Sequence, residues 1–284
     1  MTVTDRAAGG LTTGRLSVHG LDLEAVRGGS GPPALVLHGP MTYSPQTPFL
    51  TMLSAHAEVL APSAPGFGGS ARPDDLDTIY DLVKAYQDVL DALPHEKVTL
   101  IGCSVGGWLA AEVAVNYSHR LERLILVDPV GIKVGGREDR DILHVFNTSP
   151  AEVARRAWHD PANQRPDSLG FGWQLQLDAM SDEEIVTTAR NWDALCLYAW
   201  RPHLYNPQLK RWLHRIKVPT LLLWGASDGI VSPEYGQAYS RLIPGSRLEI
   251  IPEAGHHPEL ERPAEVVERI VRFMGDRSSG GMQS

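Results

Sequence analysis

Short apolar segments alternate with helix-like segments along most of this chain, and that alternation constrains its fold more than any other feature. Apolar runs of strand length are "PALVLHG" (33–39), "KVTLIG" (97–102) and "LERLILVDP" (121–129). Apolar residues at helical spacing occur in "IYDLVKAYQDVLDAL" (79–93), and "VGGWLAAEVAVNYS" (105–118) is alanine-rich. Strands that alternate with helices predict an α/β fold whose mostly parallel sheet is covered by helices on both faces.

The alternation stops after Asp128 and resumes near residue 220. The later strand-like runs are "TLLLWG" (220–225) and "RLEIIPE" (247–253), and the sequence predicts helices near 234–242 and 263–275. Because the second set of segments has the same pattern as the first, we expect both sets to belong to one sheet.

The segment between the two sets has a different character. Residues 133–214 contain helix-like or irregular runs with many aromatic side chains, namely Phe146, Trp158, Phe171, Trp173, Trp192, Tyr198, Trp200, Tyr205 and Trp212. We therefore predict one α/β core formed by residues 1–132 and 215–284, with a helical cap at 133–214 inserted into it.

Composition excludes several functional classes. The 284 residues carry a formal net charge of −8, which gives no basic surface for nucleic acid or for an anionic membrane. Two cysteines, Cys103 and Cys196, cannot form a disulfide framework, so a reducing compartment is expected. Neither a signal peptide nor an apolar run of about 20 residues is present. These features predict a cytoplasmic protein that binds neither nucleic acid nor a membrane; they leave the oligomeric state open.

Residues Gly102-Cys103-Ser104-Val105-Gly106 fit the pattern G-x-S-x-G between a predicted strand and a predicted helix. A serine on such a tight turn needs small neighbours, and the turn lifts its hydroxyl clear of the sheet. The next amide, on Val105, then lies at a helix N-terminus, where it can donate to a developing oxyanion. The alternative interpretation is a glycine-rich helix entry that serves only close packing.

Two further polar residues follow later strands. Asp228 lies just past "TLLLWG", and His256 lies just past "RLEIIPE". A single loop aspartate or histidine is more often structural than catalytic. Together, however, they follow Ser104 in the order Ser, Asp, His, at carboxyl ends of strands, where a parallel sheet gathers its site.

At these motifs the chain resembles the α/β-hydrolase superfamily, in particular its lidded, carboxylesterase-like serine hydrolases. The stretches that carry the resemblance are "LVLHG", "PGFGGS", "IGCSVGGW", "LLLWGASDGIVSP" and "IPEAGHHPELERP". The resemblance spans residues 15–274. It implies that Ser104 is a nucleophile, His256 its base and Asp228 the acid that orients the base, and that the insertion covers the site.

Three neighbouring residues compete for these roles. His257 could replace His256, although the family places its catalytic imidazole directly after the glycine, which favours His256. Asp128 occupies the position that some family members use for the acid, but Asp228 fits the commoner pattern. Cys103 is interpreted as a small buried residue, because a turn of this kind directs the side chain of residue 104, and not that of residue 103, away from the sheet.

The predicted oxyanion loop departs from the family pattern. Family members usually offer a second oxyanion amide from the residue after His-Gly, which here is Pro40 and has no N–H. We expect Met41, one residue further along, to be the second donor. A missing donor costs roughly 10²- to 10³-fold in rate, so this position matters.

The predicted activity is hydrolysis of a carboxylic ester through an acyl-enzyme, without a metal or other cofactor. The expected substrate is small or medium-sized and largely apolar, and Pro40, Met41, Trp200 and His257 are candidate pocket residues. Two alternatives remain open. One is C–C hydrolysis of the meta-cleavage type, which related serine enzymes perform; the other is a slow-turnover ligand receptor on the same fold.

Overall fold

The computed structural model describes residues 10–136, 138–163 and 180–276. Its centre is an eight-stranded sheet of β1 (Thr12–Val18), β2 (Leu21–Gly28), β3 (Pro33–Leu37), β4 (Glu58–Pro62), β5 (Val98–Cys103), β6 (Leu121–Val127), β7 (Thr220–Gly225) and β8 (Arg247–Ile251). The strand order is β1-β2-β4-β3-β5-β6-β7-β8. β1 pairs antiparallel with β2 and β2 antiparallel with β4, and the other neighbours are parallel. The predicted mostly parallel α/β sheet is confirmed.

Helices cover both faces of this sheet. They are α1 (Pro48–Ser54), α2 (Ile79–Ala92), α3 (Val105–Tyr117), α4 (Pro150–Ala157), α5 (Asp182–Ala199), α6 (Leu209–Trp212), α7 (Pro233–Leu242), α8 (Pro258–Glu261) and α9 (Pro263–Gly275). One apolar cluster packs α2, α3 and α7 against one face, and a second packs α1 and α9 against the other. Because both faces are covered, β5 and β7 are buried at every position.

Local sequence explains where α2 begins. The Thr78 hydroxyl accepts a hydrogen bond from the Asp81 backbone N–H, and the Asp81 carboxylate accepts one from the Thr78 N–H, which is a capping box. The helix then buries the apolar stripe read from the sequence, including Leu82, Tyr86 and Leu90. This face fixes the helix against the sheet beside α3.

The alternation in the sequence does not predict the β1–β2 hairpin. In β1 the outward positions are polar and mostly exposed, and only Leu16 and Val18 are fully buried. A strand at the sheet edge with a short apolar pattern gives a weak periodic signal. The hairpin therefore extends the sheet beyond the parallel strands that the sequence indicates.

The connection between β6 and β7 contains α4, α5 and α6. In its described ranges, 128–136, 138–163 and 180–219, it adds no strand to the sheet, apart from one isolated bridge between Gly131 and Tyr205. The predicted cap aromatics Phe171 and Trp173 lie outside the described residues. Within the part of the chain that is described, no helix has the length and apolar character that a membrane span requires.

Candidate active site

Four polar side chains follow four consecutive strands of the sheet. Ser104 follows β5, Asp128 follows β6, Asp228 lies three residues after β7, and His256 lies five residues after β8. These strands are parallel neighbours, so their carboxyl ends meet at one edge. The topology thus brings together residues that are up to 152 positions apart in the chain.

Ser104 lies on a strained turn between β5 and α3. Its backbone has φ 52° and ψ −113°, a region that residues with a side chain rarely adopt. The two flanking glycines make the turn possible, because a Cβ at Gly102 would overlap the backbone of Gly106, and a Cβ at Gly106 would overlap the backbone of Leu37 and His38. The Ser104 N–H donates to the Val127 carbonyl at 2.8 Å, which ties the turn to β6.

Ser104, His256 and Asp228 form one hydrogen-bonded chain. Ser104 Oγ lies 2.7 Å from His256 Nε2, and His256 Nδ1 lies 2.8 Å from Asp228 Oδ2. The side chains of His256 and Asp228 are fully buried. Because a carboxylate can only accept, Nδ1 carries the ring proton and Nε2 is left to accept the serine proton. The arrangement can therefore activate the Ser104 hydroxyl as a nucleophile.

Backbone amides fix the orientation of Asp228. Its Oδ1 accepts from Ile230 N–H at 2.8 Å and from Val231 N–H at 3.1 Å, which leaves Oδ2 for His256. The fully buried carboxylate thus has three hydrogen-bond donors. These bonds compensate for the burial of its charge.

Asp128 lies beside this chain and is fully buried. Its carboxyl accepts from the Gly225 N–H at 3.0 and 3.2 Å. Oxygens of Asp128 and Asp228 and a ring nitrogen of His256 lie within 4.8 Å of one another. Burial, followed by the charge of Asp228 and a hydrogen bond to it, raises the pKa of Asp128 well above its ordinary value. The atoms of these three residues are close enough together to be ligands of one metal ion. Both nitrogens of His256, however, already have hydrogen-bond partners.

Helix α4 holds the loops that carry the histidine and the aspartate. The His256 N–H donates to the Ala157 carbonyl at 2.6 Å, and the Gly229 N–H donates to the Arg156 carbonyl at 2.9 Å. These two carbonyls lie at the C-terminal end of α4, where the helix itself leaves carbonyls without partners. The β6–β7 connection therefore supports the site directly.

Glu261 adds a second support to the histidine loop. Its carboxylate accepts from the backbone N–H of Gly255 at 2.6 Å, of His159 at 3.0 Å and of Asp160 at 3.2 Å. It thereby joins the residue before His256 to the segment that follows α4. The sequence motif includes Glu261, but only the structure shows this function as a bridge.

His38 holds in place the loop that follows β3 and passes beside Ser104. Its Nε2 accepts from the Ala64 N–H at 2.9 Å, so the proton is on Nδ1, which donates to the Gly39 carbonyl at 2.8 Å. Burial lowers the pKa of His38 to about 4, so the ring is neutral near pH 7. A Cβ built on Gly39 would lie 3.4 Å from the Ser104 Cβ, so this loop passes close to the serine.

Asn191, which the sequence analysis does not identify, connects α5 to the same loop. Its side-chain amide donates to Met41 Sδ at 3.4 Å, and its carbonyl oxygen accepts from the Gly68 N–H at 2.7 Å.

Pro40 is buried next to Met41. As the first residue of α3, Val105 has an N–H without an intrahelical acceptor. Val105 directly follows Ser104 in the chain, and Met41 lies two residues after Gly39, the residue whose backbone passes close to the serine.

His257 and Trp200 have different surroundings. His257 is buried, with its ring centroid 5.0 Å from that of His256 and 5.2 Å from that of Trp158. Burial lowers the pKa of His257 below its ordinary value. Trp200 is 51% exposed and packs 5.0 Å from Phe146, within the β6–β7 connection. His257 therefore contacts the candidate triad, whereas the described ring contacts of Trp200 lie in the insertion.

A narrow apolar cavity of about 20 Å³ lies between α5 and the serine turn. Its lining includes Gly39, Val105, Phe67, Leu195 and Tyr198. A volume of this size accommodates one methyl- or water-sized group. Leu195 and Tyr198 of α5 are therefore the residues of the insertion that border the space next to the serine turn.

Comparison with known proteins agrees with this fold. Residues 34–269 match the family described as "Alpha/beta hydrolase family". The chain therefore belongs to the alpha/beta hydrolase family.

Individual relatives have different activities in their names. The chain is 24% identical to 2-hydroxy-6-oxo-2,4-heptadienoate hydrolase of Pseudomonas putida, over 87% of this chain and 90% of that protein. It is 27% identical to poly(3-hydroxyalkanoate) depolymerase of Ectopseudomonas oleovorans, over 80% of this chain and 78% of that protein. A crystal structure of a serine hydrolase involved in carbazole degradation superposes with a TM-score of 0.74 at 22% identity, covering 93% of this chain and 98% of that one.

Proposed function

We propose that this protein is a serine hydrolase that cleaves carboxylic esters of small or medium, largely apolar substrates through an acyl-enzyme. The observation that carries the proposal is the buried chain from Ser104 through His256 to Asp228 on a strained turn. No cofactor is needed for this chemistry, because the nucleophile, the base and the acid that orients it all come from the chain.

The proposed reaction proceeds in two halves. His256 Nε2 takes the Ser104 proton while Oγ attacks the ester carbonyl, and the resulting imidazolium then protonates the departing alkoxide. Water then attacks the acyl-serine while His256 Nε2 takes a proton from it, and His256 passes that proton to Ser104 Oγ as the carboxylic acid product leaves. Asp228 keeps its negative charge and stabilises the imidazolium throughout.

We propose that the oxyanion is held by the Val105 N–H and the Met41 N–H. The Val105 amide has a helix N-terminal position, and the His38 bonds hold the Gly39 loop close to Ser104. Pro40 makes Met41 the nearest following residue that can donate. Asn191 supports this assignment because it anchors the Met41 side chain to α5.

We propose that residues 133–214 act as a cap over this site. Support comes from the α4 carbonyls that bond the His256 and Asp228 loops, and from Leu195 of α5, which lines the cavity. We propose that the small apolar cavity next to Val105 is the inner end of the acyl site, although Ser104 itself does not line it. Pro40, Met41, His257 and Trp200 remain proposed pocket residues. A dry, covered site protects the acyl-enzyme from uncontrolled water.

A second candidate is C–C hydrolysis, because relatives at similar identity include 2-hydroxy-6-oxo-2,4-heptadienoate hydrolase. We rank the ester assignment first, because the position after His256 holds a buried histidine, His257, instead of the tryptophan usual in meta-cleavage enzymes. Slow turnover by a ligand receptor is the third possibility.

Steady-state kinetics on two substrate types test these candidates. Wild type, Ser104→Ala and the neighbouring control Cys103→Ala are compared on p-nitrophenyl esters and on a meta-cleavage ring-fission product. We expect many turnovers of the ester by wild type and Cys103→Ala, and loss of turnover in Ser104→Ala. Turnover of the ring-fission product alone would replace the ester assignment, and a single turnover on either substrate would indicate a receptor.

A further inference from the structure

Asp128 is a buried carboxyl group that the proposed mechanism does not use. It follows β6 directly, with φ 42°, and its own N–H donates to the Leu223 carbonyl at 3.0 Å. Its side chain is fully buried and contacts the Gly225 N–H of β7. The backbone on both sides therefore fixes where this carboxyl group lies.

The groups that face Asp128 are mostly acidic. Asp228 and Glu259 both disfavour a negative charge on it, and the Cys103 thiol interacts with it from β5. The imidazole of His256 lies within reach, but its Nδ1 proton is already directed to Asp228. His257, the other buried imidazole, lies next to His256 and is disfavoured as a cation by burial.

Carboxyl oxygens of Asp128 and Asp228 lie within 4.8 Å of each other, and both residues are buried. Two carboxylates so close in a buried site are not both ionised, so one of the two residues holds a proton. Donor counts decide which residue holds it. Asp228 accepts from Ile230 N–H, Val231 N–H and His256. Asp128 accepts from one N–H only, that of Gly225, among the described bonds. Three donors stabilise a negative charge better than one, so the charge belongs on Asp228 and the proton on Asp128.

We propose that Asp128 is a neutral carboxylic acid that donates its O–H to Asp228 and thereby acts as a positioning residue for the triad. This inference rests on the proposed triad but concerns a residue outside it. The neutral acid bridges Gly225 N–H and the Asp228 carboxylate, so it fixes the rotation of that carboxylate. It also withdraws electron density from Asp228, which keeps the carboxylate from competing for the imidazolium proton.

Infrared spectroscopy tests the protonation state without any assay of activity. A protonated carboxylic acid has a C=O stretching band well separated from those of carboxylates. We expect this band in wild type at pH 7, shifted by ¹³C-aspartate labelling, and missing from Asp128→Asn. Absence of any aspartic acid band in labelled wild type at pH 7 would overturn the proposal, even if the enzyme hydrolyses esters well. Because the labelled wild type suffices, failure of a variant to fold does not prevent the test.

The pH profile of kcat/KM tests the positioning role. Asparagine at 128 keeps one donor toward Asp228 and one acceptor for Gly225 N–H, so Asp128→Asn should lower kcat/KM less than tenfold and leave the acidic limb in place. Asp228→Asn should lower it by about 10⁴-fold, because the imidazole loses the acceptor that sets its tautomer. Asp128→Ala removes the donor and should move the acidic limb to higher pH.

If Asp128 is ionised instead, the acidic limb of the pH profile is expected to shift in the opposite direction. Replacing a carboxylate near His256 by a neutral amide would lower the stability of the imidazolium, and the acidic limb of Asp128→Asn would move to lower pH by about one unit or more. That shift would overturn the proposal. If wild type shows no ester turnover at all, the function assigned to the site fails, whereas the infrared band still reports on Asp128.

Discussion

The backbone N–H of His256 donates to the carbonyl of Ala157 at 2.6 Å, so the candidate base is bonded to the last residue of α4. The two residues are 99 positions apart and belong to the second half of the core and to the β6–β7 connection. A Cβ at Gly255 would overlap this same part of α4, so glycine before the histidine permits the approach. The insertion therefore supports the site through backbone atoms of α4.

Glu261 should be essential for that support. Its carboxylate accepts hydrogen bonds from three backbone N–H groups. In Glu261→Gln one of the two accepting oxygens becomes an N–H₂ group, which faces these backbone donors and cannot accept from them. We expect a loss of about 2 kcal/mol of unfolding free energy, since hydrogen bonds to a charged group are worth ~1.5–3 kcal/mol each. We also expect kcat to fall about tenfold while KM changes less. Chemical denaturation and ester kinetics measure both effects.

Glu253→Gln is the matched control for this substitution. Glu253 is exposed and pairs with Arg262 at the surface, where such pairs contribute ~0–1 kcal/mol. Equal effects of Glu253→Gln and Glu261→Gln would show that the three backbone bonds contribute nothing specific.

Asn191 should affect turnover through the Met41 loop. Asn191→Ala removes both the bond to Met41 Sδ and the acceptor for Gly68 N–H. We expect kcat for a p-nitrophenyl ester to fall by about tenfold or more, because a displaced oxyanion donor loses transition-state stabilisation. Asn116→Ala, which removes a side-chain bond to the Glu112 carbonyl on α3, is the control and should leave kcat within twofold. An unchanged kcat in Asn191→Ala would show that Asn191 does not position the proposed oxyanion loop for catalysis.

Leu195 should limit the size of the acyl group. It is fully buried, and Leu195→Ala enlarges the cavity beside Val105. We expect kcat/KM for butyrate and longer esters to rise relative to acetate, with a stability cost of about 2–3 kcal/mol. Leu213→Ala truncates another fully buried leucine outside the cavity lining and should destabilise the protein without changing the preference. If Leu195→Ala and Leu213→Ala have the same preference for acyl chain length, Leu195 does not line the acyl pocket.

Trp200→Ala examines the other proposed pocket wall. A loss of kcat/KM that grows with ester size, with little change in Tm, is the result expected of a wall residue. An equal loss for all esters together with a large drop in Tm would assign Trp200 to the aromatic cluster with Phe146 and His144.

His38 should make the protein less stable in acid. Its pKa of about 4 in the folded protein is below the ordinary value of 6.5, so the unfolded chain binds more protons as pH falls. Stability is therefore present above pH 6.5 and is lost between pH 6.5 and 4, by about 2 kcal/mol from pH 7 to pH 5. Urea unfolding at the two pH values should show a smaller loss for His38→Gln than for wild type. His56→Gln, at an exposed position, should behave as wild type; identical losses in all three proteins would contradict this assignment.

Local patterns in the sequence predict the parallel strands and their helices because hydrophobic periodicity is a property of short segments. They also single out Ser104, Asp228 and His256, since each follows a strand and the family motif fixes their order. The contact of Asn191 with Gly68 spans 123 positions, and only the fold brings the two together. The approach of Asp128 to Asp228 is of the same kind, because it depends on how β6 and β7 pair.

Trapping the acyl-enzyme tests the central claim most directly. Wild type and Ser104→Ala are mixed with a p-nitrophenyl ester, quenched in acid within the first turnover, digested and analysed by mass spectrometry. We predict that the peptide containing Cys103 and Ser104 gains the mass of the acyl group in wild type, with fragmentation placing it on Ser104, and that the Ser104→Ala peptide gains nothing. Turnover of the ester without an adduct, or an adduct that fragmentation places on Cys103, would contradict the serine mechanism.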